Sequence, residues 1–178
     1  VDRLVAKGAL LDVVHASEQT FWDVLERSGD GPIVCGHAAC RAVLDHPRNL
    51  HDDQLRALAA RNGVLGLILH PIAIDHEVHT LDRVVDHIDH AVDVMGIEHV
   101  AFGSDFMRQL MAVLNRVPPA DTLLPGAMTA DTVIEGIPGP EGFSRLVEAL
   151  ERRGYDDDAV AAIASGNVFR VLRDVLPA

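Results

Sequence analysis

The sequence predicts an α/β fold with parallel strands, built from about four strand–helix units. Three observations carry that expectation. Apolar runs of strand length recur at residues 9–14, 32–35, 64–69 and 99–102. They are nearly continuous rather than alternating, the pattern of strands covered on both faces. Stretches with helical apolar spacing lie between and after them, and such alternation implies parallel pairing through right-handed crossovers. Two architectures fit. One is part of a (β/α)8 barrel, whose closed form typically takes ~250 residues. The other is a four-stranded open sheet of the doubly wound kind. The phosphate-binding glycine loop common in the second is missing, because Gly29-Asp30-Gly31 leads into a strand rather than opening a helix.

Each element has a local cause. Residues 1–7 read as the tail of a helix, and a chain opening on Val1 is expected to be a piece of a longer protein. Ser17 is placed to cap Glu18–Arg27, with Phe21, Trp22 and Leu25 on the apolar face. Asp52 or Asp53 is expected to cap residues 54–61, and Gly63 to stop them. Thr80 precedes Leu81–Met95, in which Leu81, Val84, Val85, Ile88, Val92 and Met95 form one stripe and Gly96 ends the helix. His87 and His90, beside Asp86 and Asp89, fall off that stripe and are expected on a wet, charged face. A long Pro- and Gly-rich loop is expected over 107–140. Two helices then close the chain, at 141–153 and 157–176, with Asp156, Asp157 and Asp158 supplying negative charge to the positive end of the last one.

Composition excludes several classes. With 48% hydrophobic residues in 178, one core and a single domain over 1–178 are expected. Fifteen basic against 27 acidic residues give a net charge of −12, which opposes binding to a nucleic-acid backbone. No apolar run approaches the ~18 residues of a transmembrane segment. Cys35 and Cys40 are too few for a disulfide scaffold and are not spaced as CxxC. They read as small buried residues in a reducing compartment, so a cytoplasmic location is expected.

The functional signal sits where the apolar runs end. The four runs are followed by His15, by Gly36-His37, by His70 and by Gly103-Ser104-Asp105. In parallel α/β folds the carboxyl ends of the strands meet on one face, where sites are built. Imidazoles and a carboxylate gathered there suit metal-assisted hydrolysis, in which a bound metal acidifies water and polarises a carbonyl. His76-Glu77-Val78-His79 has its histidines three apart instead of the four that a helical HExxH needs, and reads as a solvated loop near the mouth of the site.

Several segments then resemble a known family. They are Leu11-Asp12-Val13-Val14-His15-Ala16-Ser17, Pro32-Ile33-Val34-Cys35-Gly36-His37, His46-Pro47-Arg48-Asn49-Leu50, Val85-Asp86-His87-Ile88-Asp89-His90, Gly103-Ser104-Asp105-Phe106 and Gly166-Asn167-Val168-Phe169-Arg170-Val171. In order and spacing they are similar to the carboxyl-terminal half of the membrane (renal) dipeptidases, zinc peptidases with a (β/α)8 barrel. The resemblance implies a partial TIM barrel running from the fifth strand to the C-terminus. It implies that His15 and His37 bind one zinc of a pair, that Arg48, with Asn49 beside it, holds the substrate carboxylate, and that Asp105 handles protons at the scissile bond. His70 falls where the family has an aromatic wall of the substrate pocket. The family's HxD pair, bridging glutamate and further histidine have no counterpart here, and Gly36 stands where a serine is usual.

The function expected is zinc-dependent dipeptide hydrolysis by the complete enzyme, with two zinc ions, and little activity from this chain alone. A related amidohydrolase acting on another small amide, or a non-catalytic binding protein on the same scaffold, are the rivals. Open sheet edges make a homodimer an expected association.

Overall fold

The structure, a computed structural model, describes residues 1–106 and 132–176. Four strands form one parallel sheet in the order of the chain: β1 (Leu11–Asp12), β2 (Ile33–Ala38), β3 (Val64–Leu67) and β4 (Val100–Phe102). That order separates the two candidate architectures. A doubly wound sheet reverses its winding at a switch point, and this one steps in a single direction, as an arc of a barrel does. The fold is therefore α/β with a partial barrel.

The connections are helical. After a short α1 (Asp2–Val5), helix α2 (Glu18–Arg27) links β1 to β2 and α3 (Asp52–Ala60) links β2 to β3. A short α4 (Pro71–Ile74) and a long α5 (Leu81–Met95) link β3 to β4. The chain closes with α6 (Phe143–Arg153), α7 (Asp157–Ala161) and α8 (Asn167–Val175), the last two joined by a π-helical turn over Ala162–Gly166. The closing helix expected over 157–176 thus runs from Asp157 to Val175, with a π-helical turn inside it. The loop expected over 107–140 lies outside the described residues as far as 131; Ile134 and Ile137 then form an antiparallel bridge.

Side chains alternate across the sheet, as strand geometry requires. Ile33, Cys35, Leu65, Leu67 and Val100 face the helices and join Phe21, Leu58, Val84, Ile88 and Leu146 in the main core. On the opposite face Val64 and Ala101 meet Val171 of α8, with Leu10 and Val34 packed alongside. Coverage on both faces is why the strand runs read as continuous.

The caps follow the sequence with one exception. Ser17 accepts a hydrogen bond from Thr20 N–H at 3.2 Å, and Thr80 accepts from Arg83 N–H at 3.3 Å. Helix α3 instead begins two residues earlier, at Asp52, with His51 as cap; Gln54 Oε1 accepts His51 N–H at 3.0 Å. Asp52 is freed for another partner and takes His90 Nε2 at 2.8 Å.

The expectation for His87 is corrected. It is fully buried, not wet. Cys40 N–H donates to its Nδ1 at 3.1 Å, and its Nε2 reaches the Ile74 carbonyl at 2.9 Å. An acceptor at Nδ1 and a donor at Nε2 match the two ends of one neutral tautomer. Burial pushes its pKa down to about 4. Its place off the apolar stripe, beside Asp86 and Asp89, suggested water; Cys40, on the segment after β2, packs over that side of the helix and bonds to it.

At the amino-terminal end of the sheet, α8 is fastened by two side chains. Asn167 Nδ2 donates to the carbonyls of Ile97 and Val100, both at 2.8 Å. Arg170 donates to the carbonyls of Asn62 at 2.9 Å and Glu98 at 2.8 Å. The Gly-Asn-Val-Phe-Arg-Val segment therefore acts as a fastening, far along the strands from the histidines.

Candidate functional site

The carboxyl ends of the strands bring four of the expected residues together. His15 follows β1, His37 lies inside β2, and Asp105 follows β4. His15 and Asp105 both hold left-handed backbone conformations, with φ of 59° and 51°. Such values are uncommon for residues with a side chain and cluster where function needs them. Here they turn each side chain back over the strand ends.

The distances are short. His15 Nε2 and His37 Nε2 are 3.0 Å apart. The Arg48 Nη2 lies 3.3 Å from His15 Nε2, and Asp105 Oδ2 lies 3.7 Å from His37 Nε2. Guanidinium can only donate, so the Arg48 contact requires a lone pair on His15 Nε2. Burial, with Arg48 and His15 nearby, holds the His37 imidazole below its ordinary pKa, against the opposing pull of Asp105. A neutral imidazole is the metal-ligating form.

Two ring nitrogens bound to one tetrahedral metal at ~2.0–2.1 Å would stand roughly 3.3 Å apart. The observed 3.0 Å needs only a small spreading of the two rings. Donor type and separation both fit a shared metal. Among the described residues no group of three or more His, Cys, Asp or Glu side chains is disposed to hold one, so this pair would offer only two ligands. Cys35 lies beside the site, but burial pushes its thiol up to about 12, and it faces the core as a thiol.

Arg48 stands on the loop after β2, whose fold is set from inside. Arg48 N–H donates to His46 Nδ1 at 3.3 Å. Asn49 is only 3% exposed, and its Nδ2 donates to the carbonyls of Leu44 at 3.0 Å and Ala73 at 2.8 Å. Its amide nitrogen is spent on the frame that carries Arg48. Arg48 and Asn49 line a cavity of about 140 Å³ with His15, His37 and Pro47.

Asp105 is steadied from both sides. Leu69 N–H donates to the Ser104 carbonyl at 3.1 Å. Phe106 meets Phe143 edge-on at 5.7 Å, and Phe143 stacks on Phe102 at 5.8 Å, joining this loop to α6. His70 caps α4, its Nδ1 accepting Ile72 N–H at 3.3 Å. Burial lowers its pKa, Asp105 opposes that and Arg48 adds to it. The His76 ring meets His46 edge-on at 5.5 Å, beside the Arg48 loop.

Asp12 was not singled out from the sequence. Its signal was available: one acid in the apolar run 9–14. Its carboxylate reaches across to β2, where Oδ1 accepts Gly36 N–H at 2.9 Å.

Fold and site together define a class, the barrel-type α/β proteins that gather imidazoles and a carboxylate at the carboxyl ends of parallel strands. Comparison with known proteins narrows it. Residues 1–124 match the family model for membrane dipeptidase (peptidase family M19), and the chain belongs to that family. It is 33% identical over 168 residues to a dipeptidase of Clonostachys rogersoniana, dipeptidase verJ, covering 94% of this chain and 38% of that protein. Among solved structures it is similar to a metallopeptidase from Rhodobacter sphaeroides liganded with a phosphinate mimic of the dipeptide L-Ala-D-Ala. There the TM-score is 0.79 and the identity 27%, over 98% of this chain and 46% of that one. A crystal structure described as dipeptidase AC, a family M19 metallopeptidase, gives the same TM-score of 0.79 and identity of 27%, over 99% and 48%. The chain thus spans between a third and a half of the length of these relatives. No helix among the described residues is long and apolar enough to cross a membrane.

Proposed function

We propose that this chain carries one half of the active site of a zinc metallodipeptidase. The observation that supports it most is the 3.0 Å approach of His15 Nε2 to His37 Nε2, with Arg48 and Asp105 on either side. The two imidazoles would hold one of two zinc ions in the complete enzyme. Zinc, when bound, supplies an acidified water and a Lewis acid for the scissile carbonyl.

This chain's own residues do the rest. Arg48 offers a planar fork that matches the terminal carboxylate of a dipeptide. Moving onto that carboxylate, it would leave the His15 lone pair free. Asp105, 3.7 Å from His37 Nε2, is placed to take and return a proton at the reacting amide. Asn49 keeps the Arg48 loop in place rather than touching the substrate. His70, half-buried at the strand end, forms a wall. The phosphinate dipeptide mimic bound by the Rhodobacter sphaeroides relative supports a dipeptide as the substrate class. Alone, the chain offers two ligands and is expected to bind zinc loosely and to turn over dipeptides slowly, if at all.

The test is zinc affinity and dipeptidase activity, measured on this chain and on a longer protein that contains it. His15→Ala and His37→Ala should each lower zinc affinity in the chain and abolish activity in the longer protein. Unchanged zinc affinity in both variants would remove the reading.

A further inference from the structure

We propose that Asp12 is a positioning residue for the two imidazoles, its carboxylate replacing a missing rung of the sheet between the ends of β1 and β2. This inference rests on the reading of His15 and His37 as metal ligands.

The regular ladder between these strands is short. Leu11 pairs with Ile33 and Asp12 with Val34, and a last backbone bond runs from Val13 N–H to the Val34 carbonyl at 2.9 Å. Both histidines lie beyond it. From there β1 leaves strand geometry: Ala16 N–H closes a turn on the Val13 carbonyl at 3.1 Å, and His15 takes its φ of 59°. No β1 carbonyl then receives Gly36 N–H. Asp12 Oδ1 receives it instead, at 2.9 Å, and the same oxygen accepts Val14 N–H at 2.9 Å.

Val14 and Gly36 are the residues immediately before the two histidines. One oxygen therefore fixes the backbone on which each imidazole hangs. Both bonds end on one carboxylate oxygen. Position 36 is matched to this arrangement. A Cβ there would lie 2.4 Å from Asp12 Oδ2, so any side chain at 36 would push the carboxylate off its place. Asp12 and Gly36 form a pair in which the small residue makes room for the acid. Groups that orient metal ligands in this way typically change affinity by roughly 10–100-fold when removed.

Cobalt(II) is the probe, since its visible absorption reports both affinity and ligand geometry. Co²⁺ titrations of the chain would compare Asp12→Ala, Asp12→Asn, Gly36→Ala and the double variant Asp12→Ala/Gly36→Ala, with circular dichroism to monitor folding. Asp12→Ala is expected to bind Co²⁺ roughly 10–100-fold more weakly and with an altered spectrum. Asp12→Asn keeps an oxygen for both amides and should restore most of the affinity. Gly36→Ala should weaken binding by displacing the carboxylate, and the double variant should be no worse than Asp12→Ala alone, as expected for two residues acting through one contact.

Wild-type affinity in a folded Asp12→Ala variant would overturn the proposal, as would equal losses in Asp12→Asn and Asp12→Ala. If Asp12→Ala does not fold, Asp12→Asn and Gly36→Ala decide by the same criteria. His15→Ala and His37→Ala in the same titration separate the two levels. If they bind as wild type, the metal-ligand reading falls and this proposal with it. If they lose Co²⁺ while Asp12→Ala does not, only the role of Asp12 falls.

Discussion

His87 and Cys40 hold each other through two hydrogen bonds across the core. Cys40 N–H donates to His87 Nδ1 at 3.1 Å, and the Cys40 thiol donates to the His87 carbonyl at 3.3 Å. This contact ties the segment after β2, which leads into the Arg48 loop, to the middle of α5. It requires a neutral imidazole, because a protonated ring has no lone pair for Cys40 N–H.

Stability should therefore fall with pH in a defined window. The folded pKa of His87 lies at about 4, below the ordinary 6.5 of the unfolded chain. Between these values the unfolded state binds the extra proton, so stability rises with pH there. The contribution is complete above pH 6.5, is lost as pH falls toward 4, and amounts to at most about 3 kcal/mol. Asp75 acts in a lower window. Burial raises its pKa, but hydrogen bonds from Glu77, Val78 and Arg83 lower it further, so its contribution is lost only below its ordinary 3.8. Urea unfolding at several pH values, for wild type and His87→Gln, would measure this. Equal pH slopes for the two proteins between pH 4 and 6.5 would contradict it.

Both cysteines should resist thiol reagents in the folded chain. Cys35 and Cys40 are 1% and 0% exposed, and burial pushes both pKa values up to about 12. The thiolate is the reactive form. Labelling should be negligible in native buffer and reach both thiols in denaturant. Fast stoichiometric labelling of the native chain would show that the core around β2 opens readily.

Asn167→Ala should destabilise the fold without touching the site. The side chain is 5% exposed and satisfies two carbonyls, of Ile97 and Val100. The Ile97 carbonyl keeps the Val100 N–H as a partner, and loss of the buried bond to the Val100 carbonyl costs about 1–3 kcal/mol. A loss of about 1–3 kcal/mol is expected by urea unfolding, with Co²⁺ affinity unchanged. An undiminished midpoint would mean that α8 is fastened by other contacts.

Arg48 and Asp105 should separate in kinetics. If the proposed roles hold in a longer, catalytically complete protein containing this chain, Arg48→Ala would remove a charge-assisted contact with the substrate and should raise KM by roughly 10–100-fold, with kcat affected less. On the same proposal, Asp105→Asn would leave shape intact but remove the proton carrier, so kcat should fall roughly 10²–10⁴-fold. The reverse pattern would exchange the two roles.

The elements of this fold were legible in the chain because they rest on local causes. Ser17, Thr80 and Gly96 mark helix ends, and continuous apolar runs mark strands covered on both sides. The placement of His15 and Asp105 just beyond strands followed from the same reading, while β2 runs on through His37 to Ala38. Three things depended on the assembled structure. The stepwise order of β1 to β4 chose the barrel arc over the doubly wound sheet, and no local pattern encodes strand order. The burial of His87 came from a segment nearly 50 residues away in sequence, which closes over its helix face and supplies its partner. The bond from Asp12 to Gly36 joins residues 24 positions apart. Helical and strand periodicity record which face of an element is apolar. They do not record which distant backbone amide will lie within reach of a carboxylate, because that depends on how neighbouring strands end, and only packing decides it.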